Sequence, residues 1–392
     1  MFQKIKNIYH LLRALLANCW YGFPSRKLHV IGVTGTDGKT TTTHLIYHIL
    51  SSSGKKVSMI STIYAKIGEA EYDTGFHVTT PDASLVPRYL KMAVDRGQEY
   101  FVLETTSHRL DQNQLFGTDF RVGVITNITH EHLDYHKTIE EYARTKMKLI
   151  RKAKVGIMNE DDPVTRNIIL NSKFKIKNFK TYGLKQKADY SIDFRKELPN
   201  LTDFNAYNYL AAYTVCRELG VSDKQIRAAL STFTLPAGRI DIVYDKDYKV
   251  IVDFAHTPNA IAQILESIRK IYVKSGGKLI HIFGSAGLRD HSKRFAMGQA
   301  SGRFADTTIL TEEDYRTEDP AEICRQIGLG LGDKRFETII DREKAIAKGI
   351  SYAKKGDVVI ITGKGHEKSL CRGRKEYPWS DRECVLELVE KV

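Results

Sequence analysis

Val30-Ile31-Gly32-Val33-Thr34-Gly35-Thr36-Asp37-Gly38-Lys39-Thr40-Thr41-Thr42 is the stretch on which the reading of this 392-residue chain turns. Its first half is a short apolar strand, and its second half is a glycine loop running into a helix start. Glycines let backbone N–H groups approach an anion closely, and the helix N-terminus adds its dipole. Lys39 brings charge to the outer phosphates, and the Thr40 hydroxyl suits Mg²⁺. Gly35, Thr36, Asp37, Gly38, Lys39, Thr40 and Thr41 are the expected contacts to the phosphates of ATP. The spacing departs from G-x-x-x-x-G-K-[ST], because position 33 is Val and the nearest glycines are 32 and 35. A chance G-K-T in an ordinary loop is the plain alternative, and the strand context together with the two glycines speaks against it.

Outward from this loop, apolar strands alternate with helical stretches. Strands are expected at Val57–Ile60, Tyr100–Glu104, Val122–Thr126 and Val155–Met158, and helices at Thr41–Ser51, Ser84–Arg96 and Ile139–Ala153. A second series holds strands at Val250–Phe254, Lys278–Phe283, Thr307–Leu310, Glu337–Ile340 and Val358–Thr362. Such alternation predicts an α/β fold with mostly parallel sheets. Leu235-Pro236-Ala237-Gly238 reads as a hinge, so the expected divisions are 1–27, 28–235 and 236–392. The first is an amphipathic helix, in which Ile5, Ile8, Leu12, Leu15, Leu16 and Cys19 recur at helical spacing among Lys4, Lys6 and Arg13. Trp20, Tyr21 and Phe23 follow, and Pro24 stops it. Arg13 interrupts the apolar region and no small-residue cleavage site follows, which disfavours a signal peptide. Two readings stand: packing on its own protein or a partner, or peripheral contact of residues 2–23 with a membrane surface.

The composition is that of an ordinary globular protein, 42% hydrophobic and 27% charged. No apolar run approaches the roughly 20 residues needed to cross a bilayer. The 60 Lys and Arg outnumber the 47 Asp and Glu, a surplus that suits an anionic partner. No basic run is interleaved with aromatics, so nucleic acid is not expected. Five cysteines without a C-x-x-C pair fit a reducing cytoplasm, with the inner membrane face as the alternative location.

Glu104 closes a buried strand, where open α/β sheets bind ligands. The run Asn127-Ile128-Thr129-His130-Glu131-His132-Leu133-Asp134-Tyr135-His136 follows another strand end. Three histidines, spaced two and four apart, can converge on zinc, while the neighbouring phosphate loop favours Mg²⁺ held with ATP. Lys146 falls in the apolar stripe marked by Ile139, Tyr142, Met147 and Ile150. Lysines in such stripes usually snorkel. A buried one has a lowered pKa, and its neutral amine can take up CO₂ as a carbamate that ligates metal.

Taken together, the segments resemble the Mur ligases, nearest to the MurE type, the UDP-N-acetylmuramyl-tripeptide synthetases. The resemblance runs from about residue 28 to the C-terminus. It rests on Gly35–Thr42, Thr79–Ala83, Glu104–His108, Thr126–His136 and Phe204–Asn208, continued by Gly238-Arg239, Val252–Pro258, Arg316–Pro320 and Gly363–Glu367. It implies a P-loop-type central domain, a Rossmann-like C-terminal amino-acid-binding domain, and an ATP-dependent ligase that adds a diamino acid, diaminopimelate or lysine, to a muramyl-peptide-like acceptor in peptidoglycan precursor synthesis. It also implies roles. Lys39, His132 and Lys146 would be catalytic, with a carbamate on Lys146. Thr40, Glu104, His132 and Lys146 would hold Mg²⁺, two ions in all. Asn205, Asn208, Arg239 and Asp253 would contact ATP. Thr79, Thr80, Thr106 and Gln112 would contact the acceptor, and Arg316, Gly363 and Glu367 the incoming amino acid.

Departures from the family pattern are specific. Only about 28 residues precede the first strand, too few for the family's UDP-gripping domain. Gln114 stands where the family usually carries arginine on the substrate side. The family's Asp-Asn-Pro-Arg reads Glu313-Asp314-Tyr315-Arg316, and the retained Arg316 favours a second carboxylate, as in diaminopimelate. The segment between Tyr190 and Leu201 is trimmed. Rival readings are a folylpolyglutamate-synthetase-like ligase, a non-catalytic ATP-binding module at the membrane, and a zinc hydrolase using His130, His132 and His136.

Overall fold

Val30 to Thr34 of β1 (His29–Thr34) are fully buried, because the strand lies near the middle of a sheet covered on both faces. The computed structural model describes residues 2–73, 79–171 and 178–390, and the side chains of residues 2–5 and of Asp134 lie outside that description. The chain divides into two compact units, Met1–Thr234 and Leu235–Val392.

In the first unit, β1 is followed by β2 (Val57–Ile60), β3 (Ala65–Ile67), β4 (Ala70–Tyr72), β5 (Tyr100–Glu104), β6 (Phe120–Ile125), β7 (Ala153–Asn159) and β8 (Phe179–Tyr182). Their order across the sheet is β4-β3-β2-β5-β1-β6-β7-β8. From β2 to β8 all pairings are parallel, and β3 and β4 add an antiparallel edge. Register sets Val33 beside Glu104 and Thr34 beside Ile125, so the loops after β1, β5 and β6 open side by side. That is the edge where open parallel sheets bind ligands.

Helices cover both faces. α1 (Phe2–Trp20) opens the unit, and α2 (Lys39–Ser52) leaves the β1 loop. Leu45, Ile46, Ile49 and Leu50 of α2 pack on the sheet and on the helix Asp203–Glu218. The opposite face is closed by the helices Leu85–Asp95 and Ile139–Lys152, which bury Val86, Leu90 and Leu149 against Val30, Phe101 and Phe120.

The second unit repeats the logic. Its strands are β9 (Asp241–Asp245), β10 (Lys249–Val252), β11 (Leu279–Phe283), β12 (Thr307–Leu310), β13 (Phe336–Thr338) and β14 (Val358–Ile361), ordered β13-β12-β11-β14-β10-β9. All pairs are parallel except β9 with β10. A hairpin of β15 (Ser369–Arg372) and β16 (Lys375–Pro378) follows.

The expected α/β class with mostly parallel sheets is what the chain forms. The unexpected strands are β3, β4, β8, β9, β15 and β16. They are short, or lie at sheet edges or in the hairpin, and carry polar residues such as Lys66, Glu71 and Glu376, so no apolar run announces them. The strand expected to reach Phe254 ends at Val252, because the Asp253 carboxylate turns to accept from the Ile240 and Ala255 N–H groups, both at 2.8 Å.

Two fully buried polar groups set the stability of the second unit. Arg342 meets Asp381 in a two-pronged pair, 2.7 Å on each prong, and its other N–H groups donate to the Glu312 and Thr362 carbonyls at 3.0 Å. Breaking such a pair strands a charge in the core. We expect Asp381→Ala to cost about 3–5 kcal/mol, read as a lower urea midpoint; a loss under about 1 kcal/mol contradicts this account.

The His281 ring is held between Ser301 Oγ at 2.9 Å and Thr362 Oγ1 at 3.0 Å. Burial, with Arg342 adding to it, pushes its pKa down to about 3. The folded ring stays neutral while the unfolded one takes a proton below its ordinary value of about 6.5, so stability falls as pH drops from there toward 3. The expected slope is roughly 1.4 kcal/mol per pH unit from this group. Urea unfolding at pH 6 and pH 4 should show that slope reduced in His281→Asn; identical slopes rule it out.

Candidate active site

The loop after β1 is shaped by two close approaches. A Cβ on Gly35 would stand 1.8 Å from Thr126 Oγ1, and one on Gly38 would stand 2.2 Å from Asn208 Oδ1. Gly38 also sits at φ +79°, in the left-handed region that favours glycine. Neighbouring segments tie the loop down. Thr36 N donates to the Asn127 carbonyl at 2.9 Å, Asp37 N to Asn127 Oδ1 at 2.9 Å, and Thr126 Oγ1 to the Asp37 carbonyl at 2.6 Å. The first-turn N–H groups of α2 then have no intrahelical acceptor and form an anion site. Lys39 Nζ folds over the loop onto the Thr36 carbonyl at 2.7 Å. Thr41 is buried in the first turn of α2. Asn208, which packs against Gly38, donates from Nδ2 to Asn205 Oδ1 at 2.9 Å. The loop is thus rigid before any phosphate arrives.

Glu104, the last residue of β5, is buried beside it. Its carboxylate accepts from Thr40 Oγ1 at 3.1 Å, Thr62 Oγ1 at 2.8 Å and Thr62 N at 2.8 Å. Carboxylate and hydroxyl oxygens are the donors Mg²⁺ prefers, so these residues fit that ion next to bound phosphates.

Lys146 projects from the helix Ile139–Lys152 into the same region. Its side chain is 1% exposed, its Nζ donates to the Gly35 carbonyl at 2.6 Å, and it lies 4.3 Å from the Tyr142 ring centre. Burial, with the charge of Lys39 adding, holds this amine far below the ordinary lysine range, while Glu131 and Asp37 pull the other way. The snorkelling alternative is excluded by that burial.

His132 stands at φ +55° at the turn into a short helix, and its Nε2 lies 3.7 Å from Glu131 Oε2. Partial burial lowers its pKa; Glu131 opposes this, and His108, Lys146 and Lys39 reinforce it. The three histidines of the zinc alternative do not converge. His130 is exposed, whereas His136 binds Ser107 Oγ at 3.0 Å, and the ring between His132 and His136 is His108. Among the described residues no group of three or more His, Cys, Asp or Glu forms a metal site, so the zinc reading fails on geometry.

The residues expected to touch the acceptor gather on one side of β5. Thr80 Oγ1 donates to the Glu104 carbonyl at 2.9 Å and accepts from Thr106 N at 3.0 Å. Thr106 caps the turn Ser107–Asp111, and Thr79 is half-buried next to Thr80. Gln112 Oε1 accepts from Gln114 Nε2 at 2.7 Å. Beside Gln114 stands an arginine from the neighbouring turn. Arg109 donates to Gln114 Oε1 and, through Nε, to the Thr80 carbonyl at 2.9 Å.

The second unit holds its own set. Arg239 lies over the Phe254 ring at 4.6 Å and beside Asp253, whose pKa burial raises and Arg239 restrains. Arg316, at φ +54°, donates from Nη1 to the Gly287 carbonyl at 2.7 Å. Gly363 is at φ +107°, and a Cβ there would stand 2.8 Å from Glu313 Oε2. The fully buried Lys364 amine lies 2.8 Å from Asp314 and 2.5 Å from Glu367.

Sequence reading overlooked several of these groups. Thr62 follows the end of β2, so the strand-end rule could have found it. Buried Glu131 lay in the run already singled out, but nothing local signalled that its charge would act on Lys146, fifteen positions later.

The chain's likenesses fall in the same regions. The sequence profile of the Mur ligase middle domain matches residues 33–216, and that of the Mur ligase glutamate ligase domain matches residues 238–365. The UDP-N-acetylmuramoyl-L-alanyl-D-glutamate–2,6-diaminopimelate ligase of Geobacillus thermodenitrificans is 38% identical over 400 residues, covering 94% of this chain and 80% of that protein. A solved structure of a ligase of that name shares 30% identity with a TM-score of 0.60, over 93% of this chain and 78% of that one. The folylpolyglutamate synthase of Mycobacterium tuberculosis, at 16% identity and TM-score 0.71 over 90% of this chain and 92% of that one, shares the fold alone. With both profiles in order along the chain, and such identity across most of a relative's length, this chain belongs to the Mur ligase family.

Proposed function

We propose that the chain is an ATP-dependent amide ligase that adds a diamino acid to the carboxylate of a muramyl-peptide acceptor in peptidoglycan precursor synthesis. The observation that carries this reading is the buried Lys146 amine seated on the phosphate loop, with the Glu104 carboxylate held by Thr40 at the same loop. A module that only bound nucleotide would not need a buried lysine of depressed pKa there. The names of the 2,6-diaminopimelate ligases it matches support diaminopimelate as the amino acid.

The reaction has two displacements. An acceptor carboxylate oxygen forms a bond to the γ-phosphorus of ATP as the bond to ADP breaks, which leaves an acyl phosphate. The amine nitrogen then bonds to the acyl carbon, phosphate leaves, and a proton is lost from nitrogen. Lys39 and the α2 N-terminus would offset charge on the transferred phosphoryl group. Mg²⁺, held by Thr40, Glu104, His132 and a modified Lys146, would neutralise the phosphate oxygens. Thr80, Thr106, Gln112 and Arg109 would orient the acceptor. Arg316 would pair with a carboxylate of the amino acid, with Gly363 and Glu367 beside it.

A neutral Lys146 Nζ can bond to CO₂ and release one proton, which makes an anionic carbamate ligand from a buried amine. We expect Lys146→Ala to lose about 10²–10³-fold in turnover, as for loss of one preorganised electrostatic group, with partial rescue by formate. Wild-type protein equilibrated with ¹³C-bicarbonate should show one carbamate resonance that Lys146→Ala lacks; no such resonance at full activity removes the carbamate from the scheme.

Gly38→Ala places a side chain at φ +79° and against Asn208. Left-handed strain alone costs about 1–2 kcal/mol. ATP affinity measured by calorimetry should fall at least about tenfold; unchanged affinity means that this loop does not grip the phosphates.

The decisive assay follows ADP release with UDP-N-acetylmuramoyl-L-alanyl-D-glutamate and meso-diaminopimelate, with lysine and with a folate–glutamate pair as alternatives. Turnover confined to the muramyl acceptor is the expected outcome. Turnover with the folate pair alone assigns the chain to the other ligases of this fold.

A further inference from the structure

α1 is built inside out. Its polar side faces the protein. Asn7 Nδ2 donates to the Asp111 carbonyl at 3.3 Å, Arg13 reaches Asp82 Oδ2 at 3.1 Å and Ser84 Oγ at 3.3 Å, and Asn18 Nδ2 donates to the Phe116 carbonyl at 2.9 Å. His10, Ala14 and Asn18 are buried on the same side. Its apolar side faces out: Ile8 is 59% exposed, Tyr9 56%, Leu12 50%, Leu16 68% and Trp20 84%. At helical pitch these residues, with exposed Cys19, fill one arc about 120° wide and roughly 18 Å long. None of the exposed residues in that arc is charged. A helix that packs only on its own domain turns the opposite way.

The surroundings say what covers the arc. The first acidic residue of the chain is Asp37, and Lys4, Lys6, Arg13, Arg26 and Lys27 precede it. Arg13 is spent on Asp82, and Arg26 meets Asp119 only in an exposed pair at 3.6 Å. A second copy of this chain would bring the same basic residues to the contact and repel. An anionic surface would attract them. A straight stripe of aliphatic side chains, ending in an exposed tryptophan and flanked by lysines, has the chemistry of the headgroup–acyl boundary.

We propose that α1 is an interfacial anchor that beds Ile8, Leu12, Leu16 and Trp20 into an anionic lipid surface. The inward bonds of α1 land on Asp82, Ser84, Asp111 and Phe116, the same segments that carry Thr80, Thr106 and Gln112. The anchor therefore carries the acceptor side of this unit to the headgroups, about one helix diameter away. The lipid contact itself does not depend on the ligase reading, and its test uses no turnover.

The test is flotation of the full chain with vesicles of phosphatidylcholine and phosphatidylglycerol, three to one, and with phosphatidylcholine alone. Wild-type protein floats with the anionic vesicles, less so as salt rises from 0.05 to 0.5 M. Leu12→Gln/Leu16→Gln, two exposed positions, reduces the bound fraction at least tenfold and leaves the thermal melt unchanged. Equal flotation of the two proteins overturns the proposal, as does failure of the wild type to float. A dimer in sedimentation velocity that the same substitutions dissolve, without flotation, makes the occupant a second copy and also overturns it.

Discussion

Lys146 Nζ sits 2.6 Å from the carbonyl of Gly35, buried away from the protein surface. A charged amine there bears a desolvation penalty that outweighs the pull of Glu131 and Asp37. Burial thereby holds the amine well below the ordinary lysine range. The contact also joins two distant parts of the chain: the helix Ile139–Lys152 and the turn after β1. Because Gly35 has no side chain, Thr126 can close over the turn, and Asn127 then holds Asp37. The shape of the phosphate loop and the state of the lysine come from the same packing.

Around that contact the sheet acts as a positioning device. Thr34, Glu104 and Ile125 end three adjacent parallel strands, so the loops that follow them emerge together. Glu104 is then fixed by two threonines from two further segments, Thr40 and Thr62. A carboxylate held by three donors loses little entropy on taking up a cation. The proposed acceptor residues grow from the same strand end, through the Thr80–Glu104 and Thr80–Thr106 bonds. Phosphate side and acceptor side therefore share one rigid base.

Much of the phosphate loop was legible because its information is local. A strand, two glycines, a lysine and a threonine lie within a few residues, and each has one evident use. Lys146 was half legible: its place in the apolar stripe was visible, but its surroundings depended on Glu131 and Gly35 arriving from elsewhere. Arg109 was not legible as a partner of Gln114, since only the fold of the turn Ser107–Asp111 brings the two side chains together. The short strands β3, β4 and β9, at or next to the sheet edges, escaped notice because they carry polar residues and lack apolar runs.

By itself, then, the sequence determined the alternation of elements, the parallel sheets, the phosphate loop and the family resemblance, all of which rest on periodicity and short motifs. The tertiary structure decided the environment of each side chain. It buried Lys146, separated His130 from the other histidines, and turned the apolar arc of α1 outward while its polar side docked. Periodicity shows that a helix has two faces but not which face meets the protein. That choice is made by the hydrogen-bond partners Asp82, Asp111 and Phe116, far along the chain, whose carbonyls and carboxylate needed donors more than the apolar arc needed cover.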